Sequence, residues 1–127
     1  MPFEPMIFVD DVEATSRWLQ SLLGLKSAHG GREYEMLVDG DKHLVVQLHH
    51  ASGEEHGGDR LPKGSVRGTG VLLYFKVADV HAAYQRATTM GATLEGPPQF
   101  ITLAGHTEFV VRMPDGYAIS IYQRGKA

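Results

Sequence analysis

The sequence predicts an α+β domain built from two copies of one module, each with a strand, a helix and two or three further strands. Three observations predict this fold class. The segment Val9–Val12, with sequence VDDV, returns as Val77–Val80, with sequence VADV. Each copy follows an apolar run typical of a strand, and each opens a stripe of apolar residues at helical spacing. Each helical segment ends on a glycine, Gly24 in the first copy and Gly91 in the second.

The first module begins with a strand at Glu4–Val9. Asp11 is placed as an N-cap, because its carboxylate can accept the free N–H groups of the first helical turn. Two strands then follow the helix, at Glu33–Val38 and His43–His50, and the pair Asp39-Gly40 supplies the turn between them.

The second module repeats this order. It has a strand at Val71–Val77, an N-cap at Asp79, and two strands at Thr107–Met113 and Tyr117–Gln123, joined by a turn at Pro114–Gly116. We also expect one short extra strand in each module, at Lys26–His29 and at Gln99–Thr102.

The 127 residues fit a single domain, with module 1 at about 4–50 and module 2 at 71–124. The segment 51–70 is rich in glycine and charge, so we interpret it as a linker; a flap over a site is the alternative.

Composition excludes several classes of function. The net charge is −3 and the sequence has no run of Lys or Arg, so a nucleic-acid partner is not expected. There is no cysteine for disulfides, thiolate catalysis or zinc ligation. No apolar run approaches the roughly 20 residues of a membrane span, and the N-terminus does not resemble a secretory signal. We therefore expect a cytoplasmic protein without a membrane partner.

Because successive side chains of a strand point to opposite sides of the sheet, the residues of each strand can be divided between two faces. One is aliphatic or aromatic and is expected to pack beneath the helices, with Ile7, Val9, Leu44, Val46, Leu48, Leu73, Phe75, Val77, Ile119 and Ile121. The other mixes aromatic and hydrogen-bonding side chains, as a small-molecule pocket requires. A half-exposed sheet surface would give the same pattern. This mixed face holds Glu4, Met6, Phe8, His43, Val45, Gln47, His49, Leu72, Tyr74, Ser120 and Tyr122.

The chain resembles the vicinal oxygen chelate superfamily, which includes glyoxalase I, extradiol dioxygenases and bleomycin-resistance proteins. The segments that carry the resemblance are 8–14 (FVDDVEA), 22–25 (LLGL), 75–80 (FKVADV), 90–92 (MGA) and 108–117 (EFVVRMPDGY). The resemblance implies paired βαβββ modules that form a curved mixed sheet round a cleft, usually in a homodimer. It also favours the pocket interpretation of the mixed face.

The resemblance also implies where a metal would bind. In metal-dependent members, the ligand positions match Glu4 and Gln47 in the first module, and Leu72 and Ser120 in the second. Leucine offers no donor atom and serine is a poor neutral ligand, so we expect no metal and no other cofactor. A rearranged site of Glu4, Gln47 and His49 is the alternative. His106 has no obvious companion in the sequence, and Glu4 is the only carboxylate assigned to the mixed face.

The leading hypothesis is a binding protein of the bleomycin-resistance type rather than an enzyme, holding a small aromatic or amphipathic molecule in a metal-free cleft. The alternatives are a metal-dependent lyase, isomerase or dioxygenase, and a structural or regulatory domain without a ligand. The expected ligand-binding residues are Glu4, Met6, Phe8, His43, Gln47, His49, Leu72, Tyr74, Ser120 and Tyr122.

Overall fold

The computed structural model describes residues 1–52 and 66–127. The chain divides into two compact units, unit 1 at Met1–Ser65 and unit 2 at Val66–Ala127, and each is described by itself. The central part of the predicted linker, residues 53–65, lies outside the described residues. In the part of the chain that the structure describes, neither helix is long and apolar enough to cross a membrane.

Unit 1 contains a helix on a mixed four-stranded sheet. Its described elements are β1 (Met6–Val9), α1 (Val12–Leu23), β2 (Lys26–Ser27), β3 (Tyr34–Val38) and β4 (Leu44–His50). The strand order is β1-β4-β3-β2. Strand β1 runs parallel to β4, and the other pairs are antiparallel.

Unit 2 repeats this plan with one strand more. Its elements are β5 (Leu72–Lys76), α2 (Val80–Thr89), β6 (Thr93–Leu94), β7 (Gln99–Ile101), β8 (His106–Arg112) and β9 (Ala118–Arg124). The order is β5-β9-β8-β6, and β7 also pairs with β8. Strand β5 is parallel to β9, as β1 is to β4. The duplicated α+β plan is thus confirmed, and β6 is a strand that the sequence did not indicate.

The repeated aspartates cap the two helices in the same way. Asp11 Oδ1 accepts the Ala14 N–H at 2.9 Å, and Asp79 Oδ1 accepts the Ala82 N–H at 3.0 Å. Helix α1 ends at Gly24, which adopts a φ of 70° that favours glycine. The C-cap of α2 is Met90, which has a right-handed helical conformation. It lies one residue before Gly91, the glycine that was expected to end this helix. Both N-cap predictions are confirmed.

The predicted packing face forms the core of each unit. Its most deeply buried members are Val9, Val46, Leu48, Ile119 and Ile121, with 0–1% of their surface exposed. The helices contribute buried side chains to these cores, namely Val12, Leu19, Leu22, Val80, Ala83 and Ala87. Leu44, Leu73 and Phe75 were assigned to the same face but remain partly exposed.

A buried carboxylate joins α1 to the sheet of unit 1. Glu35 is only 3% exposed, although it is charged. Its Oε2 accepts hydrogen bonds from the hydroxyls of Ser16 and Ser27, both at 2.8 Å, and its Oε1 accepts the Gly30 N–H at 2.8 Å. Burial raises the pKa of Glu35, but these hydrogen bonds and one from the His29 N–H outweigh burial, so the net pKa is lowered.

The segment that precedes β5 packs on the turn between β8 and β9. Gly68 has a φ of +77°, and a Cβ atom at this position would lie 2.9 Å from Cδ1 of Tyr117. Gly70 has a similar φ of +78°, but a Cβ atom there would meet no atom within 4 Å. The backbone of Gly68 therefore fills a space in which no side chain fits.

Candidate functional site

The unit 1 face, defined here as the side of the sheet opposite α1, combines aromatic, thioether and amide side chains. Strand pairing sets Met6 beside Gln47 and Phe8 beside His49. It also sets Tyr34 beside His49 and Met36 beside Gln47. Because directly paired residues share a face, the unit 1 face consists of Met6, Phe8, Tyr34, Met36, Gln47 and His49.

Gln47 is held at both ends of its amide group. Its Nε2 donates to the backbone carbonyl of Glu4 at 3.0 Å, and its Oε1 accepts the hydroxyl of Tyr34 at 2.5 Å. The pKa of Tyr34 is raised, first by burial and then by the charges of Glu4 and Glu35. Tyr34 therefore stays protonated and serves as the donor, and the amide oxygen of Gln47 is already engaged.

His49 is buried on the unit 1 face, with 3% of its surface exposed. Its ring centroid lies 5.6 Å from that of Phe8. Its Nδ1 lies 3.0 Å from the carbonyl oxygen of His50. A carbonyl only accepts hydrogen bonds, so this contact assigns the proton to Nδ1 and leaves Nε2 as the nitrogen with a lone pair in the neutral ring.

The unit 2 face, defined as the side of the sheet opposite α2, carries a cluster of polar and aromatic side chains. Pairing sets Tyr74 beside Ser120 and Glu108 beside Tyr122. His106 lies two residues before Glu108 on β8 and therefore points to the same side. Three strands thus supply the cluster of Tyr74, His106, Glu108, Ser120 and Tyr122.

Glu108 accepts hydrogen bonds from two side chains of this cluster, His106 and Ser120. Its Oε1 lies 2.6 Å from Nε2 of His106, and its Oε2 accepts the Ser120 hydroxyl at 2.8 Å. Burial raises the pKa of Glu108, but the bonds from His106 and Ser120, the charge interaction with His106 and the nearby hydroxyl of Tyr74 outweigh burial. The net pKa of Glu108 is lowered, so its carboxylate is ionised at neutral pH.

Aromatic rings border this carboxylate. The ring centroids of His106 and Tyr122 are 4.7 Å apart, and that of Tyr74 lies 5.7 Å from Tyr122 and 6.0 Å from His106. Tyr74 is 51% exposed and Leu72, on the same face of β5, is 44% exposed. The unit 2 face therefore offers accessible aromatic and aliphatic surface next to a fixed charge.

The structure places most predicted site residues on these two faces. Met6, Phe8, Gln47 and His49 come together in unit 1. Leu72, Tyr74, Ser120 and Tyr122 come together in unit 2. Glu4 lies before β1 and is exposed; its backbone carbonyl is the group that contacts Gln47.

His43 was expected on the same strand face as Gln47, and this placement is wrong. Strand β4 begins at Leu44, and its pairing with β3 shifts register between Leu37 and Val38. His43 lies in the preceding turn, where its side chain is 78% exposed and its Nδ1 is 3.7 Å from Asp39 Oδ2. The irregular pairing interrupts the alternation on which the prediction depended.

Tyr34, His106 and Glu108 were not among the predicted site residues. Alternation along β8 could have indicated the last two, since a His-x-Glu spacing puts both side chains on one face of a strand. The residues that they contact on other strands, Ser120 at Glu108 and Tyr74 at His106, are distant in sequence and are recognised only through strand pairing.

The four family ligand positions do not fit a catalytic metal ion. Leu72 has no donor atom. The amide oxygen of Gln47 accepts the Tyr34 hydroxyl, and the hydroxyl of Ser120 donates to Glu108. Leu72 therefore cannot act as a ligand, and Ser120 offers only a neutral hydroxyl, which is a poor ligand.

One group of His, Asp or Glu side chains in residues 1–52 and 66–127 has ligand atoms close enough to share an ion. It consists of Asp39, Asp41 and His43. Asp39 Oδ1 accepts the backbone N–H groups of Asp41 and His43, both at 2.9 Å. These bonds lower the pKa of Asp39. They are typical of an aspartate that stabilises a turn, so the cluster is explained by its place in the turn between β3 and β4.

A comparison with protein families identifies the class of protein. A profile of the Glyoxalase/Bleomycin resistance protein/Dioxygenase superfamily matches residues 4–121. The chain belongs to this superfamily, and the resemblance noted in the sequence is confirmed. A search of curated proteins found no match.

Solved structures support the same fold. A protein of unknown function from Agrobacterium tumefaciens str. C58 has 27% identity and a TM-score of 0.79, with 97% of this chain and 94% of that chain covered. A glyoxalase/bleomycin resistance protein/dioxygenase family enzyme from Burkholderia phytofirmans PsJN has 21% identity and a TM-score of 0.77, with 94% and 95% covered. A glyoxalase-related enzyme from Fulvimarina pelagi has 16% identity and a TM-score of 0.77, with 98% and 88% covered. The last two similarities concern the fold alone.

Proposed function

We propose that this protein binds a small aromatic or amphipathic molecule on its polar–aromatic sheet faces without using a metal ion. The observation that carries the proposal is the hydrogen bonding on those faces. The polar groups at Gln47 and Ser120 are satisfied by neighbouring side chains, and partly exposed aromatic rings lie beside them. Fixed polar groups set among aromatic surface are typical of small-molecule sites.

The unit 2 face gives the stronger support. Tyr74 exposes half of its surface, while its ring packs against the rings of Tyr122 and His106 at centroid distances of 5.7 and 6.0 Å, so it is held in place and remains accessible. A rigid aromatic ring loses little conformational entropy when a planar ligand stacks on it.

A titration tests this proposal. Planar aromatic compounds are added while the melting temperature and the tyrosine fluorescence are recorded. We expect binding to raise the melting temperature, and we expect Tyr74→Ala to weaken binding. Leu103→Ala is a suitable control, since Leu103 is fully exposed in the β7–β8 connection. A broad library that produces no response in either signal would contradict the proposal.

Elemental analysis of protein purified without chelators separates this proposal from a metal-dependent lyase, isomerase or dioxygenase. We expect no stoichiometric divalent ion. An ion that is retained by the unaltered protein and lost on Gln47→Ala would identify a rearranged site that includes Gln47, and would replace the metal-free proposal.

We also propose that the protein forms a homodimer, as members of its superfamily commonly do. Light scattering across a range of protein concentrations measures the mass in solution. A mass that corresponds to twice 13.9 kDa is expected, and a strict monomer at high concentration would be the contrary result.

A further inference from the structure

We propose that Nδ1 of His106 accepts a hydrogen bond from the hydroxyl group of a planar phenol bound on the unit 2 face. Glu108 acts here as a positioning residue, because it fixes which ring nitrogen of His106 carries the proton. This inference rests on the proposed function and names a chemical class for its ligand.

The contact with Glu108 determines the tautomer of His106. Oε1 of Glu108 lies 2.6 Å from Nε2 of His106. An ionised carboxylate can only accept hydrogen bonds, so Nε2 must carry the hydrogen. In the neutral imidazole, Nδ1 then keeps its lone pair and is the acceptor that faces away from the carboxylate.

Nδ1 of His106 is available to a ligand. Within residues 1–52 and 66–127, the ring has a hydrogen bond to Glu108 and contacts the rings of Tyr74 and Tyr122. No buried side-chain nitrogen or oxygen among these residues lacks a hydrogen-bond partner. His106 is 8% exposed, and since no described residue bonds to its Nδ1, this atom is not fully enclosed.

The surroundings of His106 indicate the kind of molecule that would use this acceptor. Tyr74 and Leu72 are 51% and 44% exposed and provide a surface for a planar ring. Lys76 pairs with Tyr122, and Arg124 pairs with His106, so two exposed cations flank the same face. They disfavour an amine ligand and favour a weakly acidic hydroxyl group.

Two compounds of matched shape test the hydrogen bond. 2-Naphthol carries a phenolic hydroxyl, and 2-methoxynaphthalene has the same rings without a donor. We expect the unaltered protein to bind 2-naphthol about five- to tenfold more tightly in calorimetry, as the loss of one hydrogen bond implies. His106→Gln keeps an amide donor for Glu108 but removes Nδ1, so it should reduce this preference to about one.

His81→Gln is the matched control, because His81 is an exposed histidine on α2 of the same unit. It should retain the preference for 2-naphthol. If both compounds bind equally to the unaltered protein, the inference is wrong and the proposed function stands. If neither compound binds, and no other aromatic compound does, the proposed function fails and the inference fails with it.

Nitrogen NMR of the imidazole tests the tautomer without a ligand. We expect the neutral form of the His106 ring to carry its proton on Nε2, and Glu108→Gln to increase the share of the other tautomer. On addition of 2-naphthol, the Nδ1 resonance should move, whereas 2-methoxynaphthalene should leave it in place. A protonated Nδ1 in the unaltered protein would overturn the inference.

Discussion

Glu108 binds the His106 ring across 2.6 Å, two residues away on the same strand, and the same carboxylate also accepts the Ser120 hydroxyl from the neighbouring strand. This relationship joins the middle of the unit 2 sheet into one hydrogen-bonded group.

Replacing Glu108 with glutamine is expected to reduce the free energy of unfolding by about 2 kcal/mol at neutral pH, because charge-assisted hydrogen bonds are lost. The folded-state pKa of Glu108 lies below the ordinary value of 4.5. Its carboxylate therefore stabilises the folded state above pH 4.5, and this contribution disappears as the pH falls through the folded-state pKa. Urea unfolding at neutral and acidic pH measures both effects.

Glu95→Gln is the control for this change. Glu95 is paired with Arg112 at 2.8 Å, but both side chains are about half exposed. An exposed ion pair contributes less than about 1 kcal/mol, so this variant should unfold almost as the unaltered protein does. If both variants lost the same unfolding free energy, the hydrogen bonds of Glu108 would not stabilise the fold more than an exposed ion pair does.

Glu35→Gln is expected to destabilise unit 1 by about 2–3 kcal/mol, because an amide nitrogen would face the donors that now bind the carboxylate. The pKa of Glu35 is also lowered in the folded state, so its contribution is present above pH 4.5 and is lost at lower pH. The free energy of unfolding of this variant should therefore fall less between neutral and acidic pH than that of the unaltered protein. Chemical unfolding of Glu33→Gln, where the side chain is exposed, provides the comparison.

The two helix N-caps, Asp11 and Asp79, are expected to contribute similar amounts to the free energy of unfolding. Asp11→Ala and Asp79→Ala should each cost about 1 kcal/mol of unfolding free energy, since each removes one acceptor for a free N–H group. Asparagine at either position retains a side-chain oxygen and should restore most of the loss. If alanine is tolerated at both positions without a change in melting temperature, the caps do not matter for stability.

Gly68 and Gly70 provide a matched pair. Alanine at either position adopts an unfavourable positive φ, but only at Gly68 would its Cβ collide with Tyr117. We expect Gly68→Ala to be more destabilising than Gly70→Ala by about 1–3 kcal/mol. Melting temperatures of the two variants give the comparison, and equal values would mean that the Tyr117 ring moves aside at little cost.

Much of the fold could be predicted from the sequence because its signals are local. Asp11 and Asp79 cap helices through contacts three residues away, and Gly24 ends α1 through its own backbone conformation. These features depend on neighbours in the chain, which a sequence shows directly.

The site could be predicted only in part, because strand pairing decides it. Alternation placed Gln47 and Tyr74 on the faces opposite the helices, but the register shift between β3 and β4 removed His43 from that pattern. The contact between Glu108 and Ser120 forms only because β8 pairs with β9. The sequence of a strand does not by itself show which residues of a distant strand it will pair with.

The strand order also has a consequence for biosynthesis. Strand β9 lies in the interior of its sheet, between β5 and β8, yet it is the last described strand of that sheet in chain order. Until Ala118–Arg124 leave the ribosome, β5 has no parallel partner, and the apolar side of β8 lacks its neighbour. The sheet of unit 1 has all its strands once His50 is made. Strand β4 is likewise an interior strand, between β1 and β3, so each sheet stays incomplete until the last of its described strands is made, and in that interval the nascent chain is most exposed to aggregation.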